Sequence, residues 1–236
     1  MKIDGDIAYT DKFGKRHTIE GYGTLPDETE LKSLKVDGSI SFDKISCGNF
    51  KVSGDCFGSS LTAEKISVDG DIEVNDIKAV EDLKIYGDCV ADLLTANKIF
   101  IDGDIKADGI KVVESLNIEG EPQINSIESD KIVINAQSGT IEEIKCRDLK
   151  IFNNGVNFEG EISIGKFRIT SSPKQNFSQV RIKKIDAINV ELENCNVSQI
   201  ECKNAIINAN CSIDKLIVSG NLEIDNNSKI DSIVRE

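Results

Sequence analysis

The chain has 236 residues, of which 39% are hydrophobic, and carries a formal net charge of -13. Because residue 2 is already charged and no run of about 18 apolar residues occurs, the sequence predicts neither a membrane span nor a secretory leader, and a cytoplasmic protein is expected. The excess of acidic over basic residues disfavours binding to nucleic acid or to an anionic membrane surface.

The cysteine pattern indicates reduced thiols. Their number is odd and no Cys-x-x-Cys pair occurs, which argues against a disulfide framework and against a ribbon-type zinc site. The spacings of Cys195, Cys202 and Cys211 place some of them on different faces of a coil, so buried apolar filling is favoured over metal binding. The cysteines are Cys47, Cys56, Cys89, Cys146, Cys195, Cys202 and Cys211.

Residues 1–18 are predicted to form either an N-terminal hairpin cap or a first coil of the repeat described next. The turn-forming segment 11–14 lies between two stretches with strand-like alternation, which permits both arrangements. His17 is the single histidine and lies in a polar, turn-rich segment, where exposure is expected. Because no nucleophile is suitably spaced around it, a catalytic role for His17 is not predicted.

Residues 19–170 carry a repeat in which apolar, any, apolar, any and Gly follow one another. The repeat occupies the segments 34–38, 50–54, 66–70, 83–87, 99–103 and 116–120, each of which ends on its glycine. The frame extends back to Gly5 and forward to Gly220, with Ala136 and Asn153 in place of glycine, and it fits thirteen intervals of about 16.5 residues. Such a period is too short for a helical repeat and indicates a solenoid of strands.

Each interval contains three pairs of apolar residues with the period-2 spacing of a half-buried strand. One interval has the pairs Ile66/Val68, Ile72/Val74 and Ile77/Ala79. The predicted fold is therefore an all-β, single-stranded, three-sided β-helix with coils of about 16–17 residues and about six inward side chains per coil.

Residues 171–236 are predicted to continue the solenoid less regularly. The frame slips near Ser171 and returns at Asn204 and Gly220. The apolar alternation then runs almost to residue 236, which predicts an open end available for stacking. The candidate self-assembly residues are Leu216, Val218, Leu222, Ile224, Ile230 and Ile233.

The repeated corner resembles that of the bactofilins, bacterial cytoskeletal proteins that polymerise without nucleotide. The corner reads Val-Asp-Gly-Asp-Ile at 68–72, Ile-Asp-Gly-Asp-Ile at 101–105 and Val-Asp-Gly-Ser-Ile at 36–40. The likeness is best over residues 19–135. The greater length of the chain, with a second and less regular solenoid region, resembles bactofilin-type proteins of Gram-positive bacteria. It implies a right-handed β-helix that stacks end to end into nonpolar filaments. The chain lacks the Pro-rich tail and apolar N-terminus of many members, so direct membrane binding is not expected.

The sequence therefore predicts a non-enzymatic, self-assembling scaffold whose partners are further copies of itself and client proteins, with no cofactor and no metal. A capped, monomeric or dimeric β-solenoid adaptor is the alternative, and an enzyme built on a solenoid is a third class for which no site is evident. Carboxylates follow the corner glycine at Asp55, Asp71, Asp88 and Asp104. A solvated edge is favoured there over a ladder of bound divalent cations.

Overall fold

The computed structural model describes residues 2–4, 16–25, 27–136, 138–152 and 179–236. These residues contain strands and turns and no helix, and hence no helix that could span a membrane. The strands are β1 Lys2–Asp4, β2 Arg16–Glu20, β3 Gly23–Thr24, β4 Glu28–Asp37, β5 Ile40–Val52, β6 Cys56–Val68, β7 Ile72–Ala79, β8 Asp82–Tyr86, β9 Cys89–Asp102, β10 Ile105–Glu119, β11 Pro122–Asn135, β12 Gly139–Phe152, β13 Val180–Leu192, β14 Cys195–Ile207, β15 Ser212–Val218, β16 Leu222–Ile224 and β17 Lys229–Arg235.

The predicted fold class is confirmed: the protein is an all-β solenoid of parallel strands with about 12 turns. Alternation of apolar and polar residues explains each coil, because successive side chains of a strand point to opposite faces. In β9 the inward side chains are all buried, and they fall into three pairs. They are Cys89, Ala91, Leu94, Ala96, Ile99 and Ile101.

Successive coils stack in register, so that each inward position forms a column. Ile40 pairs with Cys56, Cys56 with Ile72, and Ile72 with Cys89, so the pairing advances by one repeat at each step. Burial of each large aliphatic side chain in such a column stabilises the fold by about 1.5–3 kcal/mol. The hydrophobic core is therefore a set of apolar columns that depends on neighbouring coils.

The corner glycines allow successive coils to approach closely. A Cβ atom on Gly87 would lie 2.6 Å from the carbonyl carbon of Gly70, and one on Gly70 would lie 2.6 Å from that of Gly54. Gly70 has a positive φ of 151°, whereas Gly87 does not have a positive φ. Close approach of backbones, rather than positive φ alone, is therefore what selects glycine at this corner.

The chain divides into two compact units, Met1–Val113 and Glu114–Glu236, with the division inside β10. In the first unit β1 pairs in parallel with β2, Lys2 opposite Thr18, as successive coils of a solenoid do. The second unit holds parallel coils from β11 to β17.

Strand β12 pairs directly with β13, although a long stretch of chain separates them. Ile141 of β12 pairs with Ile182 of β13, whereas Ile182 pairs with the much nearer Val197 of β14. The expectation of thirteen nearly equal intervals therefore does not hold, because the step in sequence from Ile141 to its partner Ile182 is much longer than the step from Ile182 to its partner Val197. The predicted slip near Ser171 lies outside the described residues.

The expected exposure of His17 is wrong. His17 lies in β2, pairs with the buried Leu34 of β4, and is only 7% exposed. Because β2 is already part of the stack, its alternation turns His17 inward despite the polar residues around it.

Candidate assembly surface at the last coil

The last described coil consists of β16 and β17, which pair with the coil beneath them. Leu222 and Ile224 of β16 lie over Ala205 and Ile207 of β14. Strand β17 pairs in the same way with β15, with Ile230 over Ile213. Among the described strands nothing pairs with the opposite edge of β16 or β17, so that edge presents unpaired backbone groups.

The inward column positions of this coil are exposed at Ile224 and Ile233 and half-buried at Leu222 and Ile230, although the same positions one coil below are fully buried. Ile233 is 45% exposed, whereas Leu216, its neighbour in register, is 0% exposed. Ile224 is 41% exposed, and Ile207 beneath it is 1% exposed. The apolar columns of the solenoid therefore emerge at a surface here. We call this surface the end face; its inward-register residues are Leu222, Ile224, Ile230, Ile233 and Arg235.

Four of the six predicted self-assembly residues are brought together on the end face: Leu222, Ile224, Ile230 and Ile233. Leu216 and Val218 instead lie one coil lower, fully buried beneath β17. A substitution at Leu216 or Val218 would therefore perturb the core, and Ile224 and Ile233 are the positions that test the surface.

A tight turn holds the two strands of the end face. The backbone N–H of Asn227 donates to Asp225 Oδ1 at 2.8 Å, and the N–H of Ser228 donates to the carbonyl oxygen of Asp225 at 3.0 Å. Ser228 Oγ accepts the N–H of Cys211 at 2.9 Å and donates to the carbonyl oxygen of Asn208. Because both of these partners belong to the preceding coil, the turn fixes Ile224 and Ile230 on either side of it, and the end face is preorganised.

Arg235 is a member of the end face that sequence reasoning missed. It lies in register over Val218, in an inward column that also contains Cys202 and Ala187. Its Nη1 atom donates to the carbonyl oxygen of Gly220 at 2.8 Å. Continuing the strand alternation past Ile233 would have placed this charge inward.

The rim of the end face carries a charge pair of its own. Lys229 Nζ lies 2.7 Å from Asp231 Oδ1, and this hydrogen bond raises the pKa of the Lys229 ammonium. Both side chains are exposed, so the pair contributes little to stability. The pair does neutralise the polar edge beside Ile230.

The row of corner carboxylates has a structural role in the first unit. The backbone N–H of Asp88 donates to Asp71 Oδ1 at 2.8 Å, and that of Asp104 donates to Asp88 Oδ1 at 2.9 Å. Each carboxylate thus joins one coil to the next. Within the described residues no group of three or more His, Cys, Asp or Glu side chains is arranged to hold a metal ion.

All seven cysteines are free thiols, and burial makes them poor acids. Desolvation raises the pKa of Cys89 and of Cys202 to about 12. Desolvation also raises the pKa of Cys211 to about 11. Because the thiolate is the reactive form, these side chains are packing residues at neutral pH rather than nucleophiles.

Comparison of the chain with protein-family models, with curated proteins and with solved structures gave no match. What the end face can do therefore has to follow from its own geometry and chemistry.

Proposed function

We propose that this protein is a non-enzymatic scaffold that polymerises by end-to-end stacking of its β-solenoid through the end face. The observation that carries this proposal is the exposure of Ile224 and Ile233 at column positions that are buried in the coil directly below. Covering these side chains is favourable in proportion to the apolar area removed from water.

A second copy of the chain is the occupant that best suits this surface. Within the second unit Leu222 lies on Ala205 and Ala205 on Val190, each pair joined by parallel strands. A further solenoid coil would continue the same columns and would also pair the free backbone edge. A contact of this kind that does not close on itself propagates into a filament.

The resemblance of the repeated corner to bactofilins supports the same proposal from the sequence. Its implications are a cytoskeletal role, stacking without nucleotide, no cofactor, and client proteins bound to the outer faces. The capped β-solenoid adaptor remains the second candidate, and Arg235 is the observation that favours it, because a charge in an inward column opposes stacking.

The experiment is negative-stain electron microscopy together with sedimentation velocity over a range of protein concentrations. The test variant is Ile233→Asp, and the control is Ile188→Asp, an isoleucine of the same unit that is 47% exposed but lies outside the end face. We expect filaments from the wild type and from Ile188→Asp, and their loss in Ile233→Asp with unchanged circular dichroism.

Uniform single particles of the wild type at every concentration would contradict polymerisation and favour the adaptor. Loss of filaments in both variants would indicate that the contact between copies involves the side of the solenoid and is not confined to the end face.

A further inference from the structure

The end face is apolar at four of its inward positions and charged at the fifth. Leu222, Ile224, Ile230 and Ile233 continue buried aliphatic columns, whereas Arg235 follows Ala187, Cys202 and Val218 in register. Arg235 therefore occupies a register position that holds small or aliphatic side chains in the coils beneath it.

We infer that Arg235 opposes the addition of a second copy at the end face and so sets the concentration at which stacking begins. The inference rests on the proposed stacking function for the identity of the occupant. Its basis is the inward register of Arg235 and the hydrogen bond from Nη1 to Gly220 O at 2.8 Å, which keeps the guanidinium at the edge of the coil.

A stacked coil would lie about 4.8 Å above β17 and would bring its own inward side chains over Arg235. A guanidinium stays charged at physiological pH, so it cannot avoid burial by losing a proton. Arg235 forms no ion pair with a carboxylate of the described residues, and its one hydrogen bond from Nη1 leaves other N–H donors to be satisfied. Burying a cation without full compensation is strongly unfavourable.

Natural sheets protect their open edges with inward-pointing charged residues of this kind. The arrangement here is local, because the remaining inward residues of the end face are aliphatic. Arg235 therefore weakens a contact that Ile224, Ile230 and Ile233 favour, and the balance between them leaves stacking dependent on concentration.

The test compares Arg235→Val with Arg235→Lys by sedimentation velocity, and circular dichroism checks the fold. Valine repeats the residue one coil below, Val218, whereas lysine keeps the charge. We expect Arg235→Val to reach half-assembly at a concentration about tenfold lower than the wild type. Arg235→Lys should stay close to the wild type.

The outcomes separate this inference from the proposed function. If the wild type does not assemble but Arg235→Val does, Arg235 opposes stacking as inferred, and polymerisation of the natural chain is contradicted. If the wild type assembles and Arg235→Val needs the same or a higher concentration, polymerisation stands and the inference is overturned. If neither assembles, removal of the charge is insufficient and both are overturned.

Discussion

Single residues at the corners decide how closely successive coils can approach. A Cβ on Gly87 would lie 2.6 Å from the carbonyl carbon of Gly70, and Gly87 does not have a positive φ; Gly21 has a φ of 91° and open space around its Cβ position. Substitution of Gly87 therefore tests the close approach of neighbouring coils, and substitution of Gly21 tests the strain of a positive φ. We expect Gly87→Ala to lower the free energy of unfolding by about 2–3 kcal/mol. The matched variant Gly21→Ala should lower it by about 1 kcal/mol.

Urea denaturation of both glycine variants, followed by circular dichroism, measures these differences. An equal loss in the two variants would mean that the close approach of Gly87 to the neighbouring coil costs no more than the positive φ of Gly21, and would contradict the steric explanation for glycine at the corner.

Buried thiols should make the protein sensitive to alkali. Burial raises the pKa of Cys89 from 9.0 to about 12, so above pH 9 the unfolded chain loses a proton that the folded chain keeps. The contribution of Cys89 to stability is therefore complete below about pH 9 and is lost as the pH rises from about 9 to about 12. Over that window we expect the free energy of unfolding to fall more steeply in the wild type than in Cys89→Ala. The difference should be on the order of 1 kcal/mol per pH unit.

Denaturant titrations at several pH values between 8 and 11 would measure the two slopes. Parallel slopes would show that the Cys89 thiol does not contribute and that groups present in both proteins account for any alkaline loss of stability.

Among the structural elements, the step from β12 to β13 is the point at which the repeat departs from its regular length. If residues 153–178 were removed, Ile151 would be followed by Phe152, Gln179 and Val180. The resulting corner would have the same number of residues as the corner from Leu192 to Cys195. Leu192 is in register with Ile151, and Cys195 is in register with Val180. The shortened coil would then have the same length as the coil that already joins β13 to β14.

We expect the deletion of residues 153–178 to yield a folded β-solenoid. A second variant adds Gln179→Asn, because Asn194 occupies that corner position with a φ of 54° and asparagine tolerates this conformation. Circular dichroism and cooperative thermal unfolding are the measurements. An unfolded deletion protein in both forms would show that residues 153–178 are needed to hold β12 against β13.

The repeat itself could be predicted from the sequence because each inward pair depends on local alternation. Ile66 and Val68, for example, are both buried where the pattern places them. The long step from β12 to β13 could not be predicted, because alternation shows which residues face inward but not which coil they stack on. Arg235 was missed for a related reason. A charged residue in the last strand is expected to face solvent, and only the register of Arg235 over Val218 shows that it occupies an inward position. The candidate surface was thus predicted in its apolar part only.

At the scale of the whole molecule, the net charge of -13 opposes any association between copies. Repulsion between like-charged molecules is screened over about 30 Å at 0.01 M salt and over about 8 Å at 0.15 M. We therefore expect the concentration for half-assembly to fall as NaCl is raised between these values, measured by sedimentation velocity. Ile233→Asp, which places a charge on the end face, should remain unassembled at both. A rise in that concentration with salt would mean that attraction between charges, and not apolar contact, drives stacking.

The same titration separates net charge from the local effect of Arg235. Arg235→Val makes the chain one unit more negative, so repulsion between whole molecules alone predicts weaker assembly than in the wild type, most strongly at low salt. Burial of the guanidinium predicts the opposite sign at every salt concentration, because a desolvation penalty within a contact is screened little by ions. Stronger assembly of Arg235→Val at both about 0.01 M and about 0.15 M NaCl would therefore place the control of stacking at one inward residue of the last coil. Weaker assembly at low salt that disappears at high salt would assign it to the charge of the whole surface.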